Sequence, residues 1–413
     1  MKTPPTTPAV ATSASTAAFD PDRNDASTPQ SADALLCDRN SDRAPVLSVV
    51  VPTLNEEAGI ATCMEWIREA VETLQVPTEI LVSDSSTDRT PEIAREYGAI
   101  VVTPDEPGYG YAYRYAFEQA RGEYLVMGDA DTTYDFRQIP RLLSHLEETG
   151  ADMVMGSRLN GEIRDGSMPA LHKYVGNPLL TAFLNAFYGA GVSDAHSGFR
   201  VFTREALATI APQTDGMEFA SELIMEAGAA DLQIEEVPIV YHERVGEETL
   251  ESFSDGWRHV RFMLVNAPGY LFSVPGLLVG LFGVGVMGGA GVGFPVEGIS
   301  LGINSMIAGS LLLILGTQVV LMGVLATVTG DPIQEPTNRF TALVTEHATL
   351  ERGATLGAGV FGVGAVYAAW LVAGWVGSGF GAVPFTGAAL GSFTAIVIGA
   401  QVVFSSFLLS CVE

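Results

Sequence analysis

The sequence predicts an α/β domain on a mostly parallel sheet, followed by an α-helical membrane domain of four transmembrane helices. Three observations predict it. From Val46 to Met155 short apolar runs alternate with segments of helical periodicity, the pattern of strands with helices on both faces of a sheet. Later in the chain come four apolar stretches, each long enough for the ~20 residues that cross a bilayer. Charge is also segregated. The 413 residues carry a formal net charge of −27 and a mean hydropathy of +0.27. Yet Phe272 to Gly330 holds one charged side chain, Glu297, and Gly353 to the carboxyl end only Glu413.

Residues 1–44 are rich in Thr, Ser, Pro, Ala and Asp without apolar periodicity, so they are expected to form a disordered tail. They lack the apolar core of a signal peptide, which predicts a cytoplasmic position for the adjoining domain. The soluble domain is expected over 45–250. Val46 to Val51 reads as a buried strand. Ile60, Met64, Ile67, Val71 and Leu74 then share one helical face. Glu79 to Ser83 is a second strand, and Thr90 to Tyr97 a short helix with Pro91 in its first turn. Ala99 to Thr103 is a third strand, Tyr111 to Ala120 a helix, Glu123 to Met127 a fourth strand, Arg137 to Glu148 a helix and Asp152 to Met155 a strand.

Residues 251–268 form an expected amphipathic interfacial helix, with Phe253, Trp257, Val260 and Leu264 on one face and Arg258, His259 and Arg261 at its flank. The membrane domain covers 269–413, with spans at about 272–291, 301–328, 354–376 and 384–410. Arg258, Arg261, Arg339 and Arg352 fall on one side, while the turns near Glu297 and Gly379 have no Lys or Arg. Positive charge on the inner side makes the expectation a multi-pass protein of the cell membrane with a cytoplasmic catalytic domain.

Composition excludes some classes. A pI of about 4.4 leaves no basic stripe for nucleic acid. The acidic balance has the character of a halophilic adaptation, because salt screens self-repulsion. Cys37, Cys63 and Cys411 have no metal or disulfide spacing, and Cys63, on the apolar helix face, reads as packing.

In parallel sheets, ligands sit at the carboxyl ends of strands. Strand one ends in Pro52-Thr53-Leu54-Asn55-Glu56-Glu57, strand two in Ser83-Asp84-Ser85-Ser86-Thr87-Asp88 and strand four in Gly128-Asp129-Ala130-Asp131. Carboxylates gathered on one rim repel unless a cation or a donor-rich ligand lies between them. A nucleotide diphosphate with Mg²⁺ or Mn²⁺ supplies both. Asp84 and Asp88 have a second reading, as caps of the helix near Thr90. An Asp-x-Asp directly after an apolar strand has little local capping use.

With these motifs in order, then Gly156 to Arg158 (GSR), Gly176 to Thr181 (GNPLLT) and Asp194 to Arg200 (DAHSGFR), the sequence resembles family 2 glycosyltransferases of the GT-A (Rossmann-like) fold. Within them it resembles the membrane-anchored dolichyl-phosphate mannose and glucose synthases. The resemblance runs from Val46 to about Leu264. It implies a nucleotide-sugar donor, UDP-glucose or GDP-mannose, and dolichyl or polyprenyl phosphate as acceptor. It also implies inverting transfer of a hexose, with Mg²⁺ or Mn²⁺ as cofactor. By position, Pro52, Thr53, Asn55 and Glu57 would line the nucleotide pocket and Asp84 would read the base. Asp129 would approach ribose and diphosphate, Asp131 would bind metal with Asp129, and Arg158 would join the donor site. Asp194 would orient the acceptor or act as base, and Lys173, Arg200 and Arg244 would meet the acceptor phosphate. The sequence departs from the family pattern at Ser83, where Asp is common, at Thr133, where Gln is common, and at Glu247-Glu248-Thr249, where Ser-Lys is usual.

Other readings are an enzyme that extends a lipid-linked glycan or polymer, and a nucleotide-sugar sensor on a membrane scaffold. No QxxRW motif lies near Trp257 or Trp370, which disfavours a processive synthase. No span holds an internal charge that would mark a transport path. Homo-oligomerisation stays open.

Overall fold

A computed structural model describes residues 29–246, 252–293, 295–296, 299–330, 333, 350–381 and 386–412. The tail expected over 1–44 therefore splits. Residues 1–28 lie outside the described chain, whereas Ala32–Leu35 forms a helical turn, α1, with both end residues buried. The Cys37 amide donates to the Thr78 carbonyl at 2.8 Å. The soluble domain thus begins before residue 45, because Ala32, Leu35 and Leu36 supply apolar contacts that the polar average of the segment conceals.

The soluble domain is one seven-stranded sheet. Its strands are β1 (Leu47–Thr53), β2 (Thr78–Asp84), β3 (Ile100–Val102), β4 (Tyr124–Met127), β5 (Met153–Ile163), β6 (Arg200–Thr203) and β7 (Ile234–Tyr241), in the order β3-β2-β1-β4-β6-β5-β7. Pairing is parallel except where β6 meets β4 and β5. Seven consecutive residues of β1 bury all but Pro52, as expected for a strand covered on both faces. Val49 and Val51 join one apolar layer and Val50 the other. The first layer packs against α2 (Ile60–Leu74) through Ile60, Cys63, Met64, Ile67, Val71 and Leu74, the face read from sequence. Around the sheet lie α3 (Thr90–Glu96), α4 (Tyr109–Phe117), α5 (Ile139–Thr149), α6 (Asn177–Tyr188), α7 (Arg204–Ile210) and α8 (Phe219–Ala229). Connections leave β1 toward β2 on one side, while β4 lies on the other. Their carboxyl ends therefore flank a reversal of strand order, where α/β sheets form their crevice.

Helix α9 (Ser252–Val265) leads to α10 (Val274–Gly291), α11 (Ile303–Thr329), α12 (Leu350–Gly377) and α13 (Thr386–Val412), with a two-stranded turn, β8 (Pro295–Val296) and β9 (Ile299–Ser300), between α10 and α11. The four candidate spans are Gly269–Gly291, Ile303–Thr329, Leu350–Gly377 and Gly387–Cys411, close to the expected ranges. Helix pairs approach through glycine: a Cβ at Gly283 would stand 2.5 Å from the Leu313 amide nitrogen, as in tightly packed membrane helices. Ser310 and Thr394 join the two hairpins by a hydroxyl hydrogen bond of 2.6 Å. Arg339 and Glu247-Glu248-Thr249, used in the sequence reading, lie outside the described residues.

Candidate active site

The loops after β1 and β2 are stitched together. Thr53 Oγ1 donates to Asp84 Oδ1 at 2.7 Å, and both residues are buried. Asn55 adopts the left-handed conformation at φ 58°, which Asn tolerates better than most residues. There its amide donates to Ser86 Oγ at 2.7 Å and its Oδ1 accepts from the Thr87 amide at 2.9 Å. Glu57 accepts from the Arg89 amide at 3.3 Å. Asp88 Oδ1 accepts from the Thr90 amide at 3.0 Å, in the turn that opens α3. Asn55 and Glu57 thus shape the rim by bonding across it, and Pro52 stands beside Ser83 in the β1–β2 ladder.

Beyond β4 the chain turns through Asp129, Ala130 and Asp131 into Thr132, another left-handed residue at φ 65°. The Cys63 thiol lies 3.2 Å from the Ala130 carbonyl. Burial pushes that thiol up to about 12, consistent with packing. Asp129 Oδ1 accepts from Tyr109 Oη at 2.9 Å and Tyr113 Oη at 3.3 Å. Burial, then the neighbouring Asp131 charge, raises its pKa to about 7 despite these donors. Asp131 Oδ1 is held by the Thr133 hydroxyl at 2.6 Å and amide at 3.1 Å. Arg244 bridges this turn to the first loop, with Nη2 at 2.9 Å from Glu56 Oε1 and Nη1 at 3.7 Å from Asp131 Oδ2. Expected at the acceptor phosphate, Arg244 belongs by contact to the rim of β1 and β4.

Among the described residues no three His, Cys, Asp or Glu side chains form a protein-only metal cage. The rim fits a different arrangement, in which a hard cation takes one or two carboxylates and completes its shell with phosphate oxygens and water. Two mutually repelling carboxylates, one of them held near neutral pH, are the donor set such a cation would relieve.

The second half of the site is locked. Arg158 grips Asp194 in a two-point pair, Nε to Oδ2 and Nη2 to Oδ1 both at 2.8 Å, and the Arg158 amide adds a third bond at 2.9 Å. Burial alone would raise the Asp194 carboxyl, but Arg158 overrides it and holds the group below the usual carboxylate range. Asp194 thus has both oxygens engaged by Arg158, whose guanidinium also lies 5.3 Å from the Tyr241 ring centre. Arg200 is fully buried. Its Nε donates to the Ser197 carbonyl at 2.9 Å, and Nη2 to Ala195 and Ala220 carbonyls at 3.0 and 2.8 Å. Burial depresses its pKa to about 10. These bonds knot the 194–200 loop onto α8, while Nη1 is buried without a hydrogen-bond partner. Lys173 sits in a π-helical turn, His172–Gly176, that runs into α6, its ammonium 5.5 Å from the Tyr174 ring centre.

Sequence reasoning missed Tyr109 and Tyr113, although their four-residue spacing on a helix was a usable signal. It missed Glu56 as the partner of Arg244, Glu236, which accepts from the Ser193 and Asp194 amides at 2.8 and 3.1 Å, and Tyr134, whose hydroxyl accepts from the Gly198 amide at 2.7 Å. Those three lie far from their partners in sequence and leave no local trace.

The model of glycosyl transferase family 2 matches residues 48–211, and that of the family 2 glycosyltransferase C-terminal transmembrane region matches 329–413. A low-salt glycan biosynthesis hexosyltransferase from Haloferax volcanii is 58% identical over 92% of this chain and 92% of its own. The chain belongs to glycosyltransferase family 2. A dolichyl-phosphate hexose transferase of the same organism is 34% identical over 51% of this chain and 89% of its own. A glucosyl-3-phosphoglycerate synthase from Mycobacterium tuberculosis, solved with Mn²⁺, UDP and glucosyl-3-phosphoglycerate, shares 26% identity at a TM-score of 0.45, over 53% of this chain and 79% of its own. This family 2 enzyme is a membrane protein with a GT-A domain and four apolar helices long enough to cross the bilayer.

Proposed function

We propose that the chain transfers a hexose, with inversion, from UDP-glucose or GDP-mannose to dolichyl or polyprenyl phosphate at the cytoplasmic membrane face. The observation that carries this reading is the rim of Thr53, Asp84, Asp129 and Asp131 at the ends of β1, β2 and β4, in a domain whose other half packs through α6 against the start of the first apolar helix. Asp131, with Asp129, would hold Mg²⁺ or Mn²⁺, which supplies charge neutralisation to the departing nucleoside diphosphate. Asp84, hydrogen-bonded by Thr53, would read the base. Arg244 spans the loops that would enclose the diphosphate, and Arg is suited to two-point phosphate contacts. An acceptor phosphate is already ionised and needs little deprotonation, which accords with Asp194 having both oxygens engaged. Positioning then carries much of the rate.

A lipid acceptor is supported by an apolar stripe. Leu171, Tyr174, Val175, Pro178, Leu179 and Ala182 are all exposed at helical spacing along the π-turn and α6. The far end of α6 meets the first membrane helix, where Phe187 and Tyr270 stack edge-on at 4.5 Å. An exposed stripe of this kind beside an apolar span supports a face that lies in the bilayer. Lys173 sits on the same segment, where a basic side chain can meet a lipid phosphate. Arg258 and Arg261 on α9, and Arg352 at the start of α12, support a cytoplasmic domain.

The relative named for glycan biosynthesis favours a second acceptor, a lipid that already carries sugar. Purified full-length protein in vesicles, given radiolabelled UDP-glucose or GDP-mannose, separates the two. Label on polyprenyl phosphate alone is expected. Label only on a preformed lipid-linked saccharide supports the second reading, and none on either contradicts both.

A further inference from the structure

The interfacial helix α9 is joined to the Asp194 loop by side chains that the candidate active site does not use. Among the described residues, polar contacts help to seat α9 on the soluble domain. Arg258 Nε lies 3.4 Å from Glu218 Oε1, Tyr188 Oη donates to the Met263 carbonyl at 2.9 Å, and His259 Nδ1 lies 2.9 Å from Ser221 Oγ. Met263 is fully buried, while Trp257, Arg261 and Val265 stay exposed on the other side. Ser221, itself wholly buried on α8, continues the contact: its Oγ lies 3.4 Å from His196 Nε2. The rings of His196 and His259 meet edge-on at 5.0 Å. His196 is two residues past Asp194, inside a turn closed by the Ser197 amide on the Asp194 carbonyl at 3.2 Å.

We propose that Ser221 and His259 are positioning residues. Through His196 they let the seating of α9 at the membrane set the geometry of the Arg158–Asp194 pair. The inference rests on the reading in which Asp194 orients the acceptor. A serine hydroxyl between two imidazoles donates to one ring and accepts from the other, so the three groups share one arrangement and move together. The groups that face His196 are His259, Arg158, Arg200 and Asp194; burial and the first three outweigh Asp194, leaving the ring neutral with a pKa of about 3. The link from Ser221 to His196 is therefore one of geometry. A merely structural role is the competing explanation. Against it, His196 Nδ1 is buried without a hydrogen-bond partner, a cost that an apolar side chain of similar size would avoid.

The test uses the full chain in vesicles of anionic phospholipid, with His259→Ala, Ser221→Ala and His259→Asn, the last replacing Nδ1 by a side-chain amide. Hydrogen exchange over residues 193–199 is read first, because it needs no substrate. The alanine variants are expected to speed exchange there by about tenfold, the worth of one neutral hydrogen bond, with β1 and α2 unchanged. Steady-state transfer should show the KM for polyprenyl phosphate raised by a similar factor, with kcat and the KM for the sugar nucleotide within about twofold. His259→Asn should recover most of both. Unchanged exchange at 193–199 in His259→Ala overturns the coupling, as does a fall in Tm with the acceptor KM unmoved. If wild-type protein ignores polyprenyl phosphate while exchange responds as expected, the acceptor reading fails and the coupling stands.

Discussion

The two halves of the site handle charge in opposite ways. On the rim of β1, β2 and β4, Asp129 and Asp131 stand beside one another with incomplete compensation, and Asp129 is held near neutral pH. In the other half, Arg158 and Asp194 satisfy each other in the interior, and Arg200 places Nε and Nη2 on backbone carbonyls with Nη1 left unpartnered. Like charges left facing each other store repulsion that a bound cation and diphosphate can relieve. A closed ion pair stores none and instead fixes shape. Under the proposed function, the contrast assigns the first half to ligand response and the second to holding its form.

The largest expected effect comes from breaking the responsive half. Asp131→Asn should lower transfer by at least about a hundredfold, the scale set by removing one preorganised charge contact, while near-ultraviolet circular dichroism stays native. Chelator should silence the wild type and added Mg²⁺ or Mn²⁺ restore it; full activity in excess chelator would remove the cation from the mechanism.

Breaking the closed half should cost stability more than chemistry. Asp194→Ala leaves the Arg158 guanidinium buried and unpaired, which costs about 3–5 kcal/mol. A thermal melt of the detergent-solubilised protein reads this directly, and an unchanged Tm would show the pair to be dispensable.

A smaller effect, with a definite sign, comes from Asp129. Its folded pKa, about 7, lies above the ordinary carboxyl value of 3.8, so the folded state binds the proton more tightly than the unfolded one. Stability of the metal-free protein is then full below about pH 4, falls as pH rises toward 7 and stays flat beyond, by about 2–4 kcal/mol in total. Asp129→Asn should flatten that slope in melts run from pH 4 to 8; a slope kept intact assigns it to other groups.

The smallest effect should come from Arg258→Ala. The Arg258–Glu218 pair is half exposed on the arginine side, so its loss costs at most about 1 kcal/mol, measurable as a shift of a few degrees or less in Tm.

The sequence displayed the responsive half far better than the closed one, for physical reasons. The β1, β2 and β4 loops come directly after continuous apolar strands, so period and punctuation locate Thr53, Asp84, Asp129 and Asp131 on one rim. The four spans are legible because they need no partner to be apolar. By contrast, β6 is four residues long and antiparallel, too short for a period. The segment 172–188 carries a motif and an exposed apolar stripe, and nothing in its residues marks which faces meet solvent. Arg158 and Asp194 are 36 residues apart, and Arg200 is interior although arginine is almost never fully buried. Such pairings are decided by tertiary packing.

The division between the halves is tested most directly by calorimetric titration of UDP and GDP, with Mn²⁺ present, into folded Arg244→Ala and Arg158→Lys. Arg244 touches Glu56 and Asp131, so its loss is expected to weaken binding of the preferred nucleotide by about tenfold or more, the worth of a charge-assisted contact. Arg158→Lys, on the closed side, is expected to bind that nucleotide as the wild type does. The opposite pattern, with nucleotide affinity intact in Arg244→Ala and lost in Arg158→Lys, would place the donor on the Asp194 side and contradict the assignment of the rim.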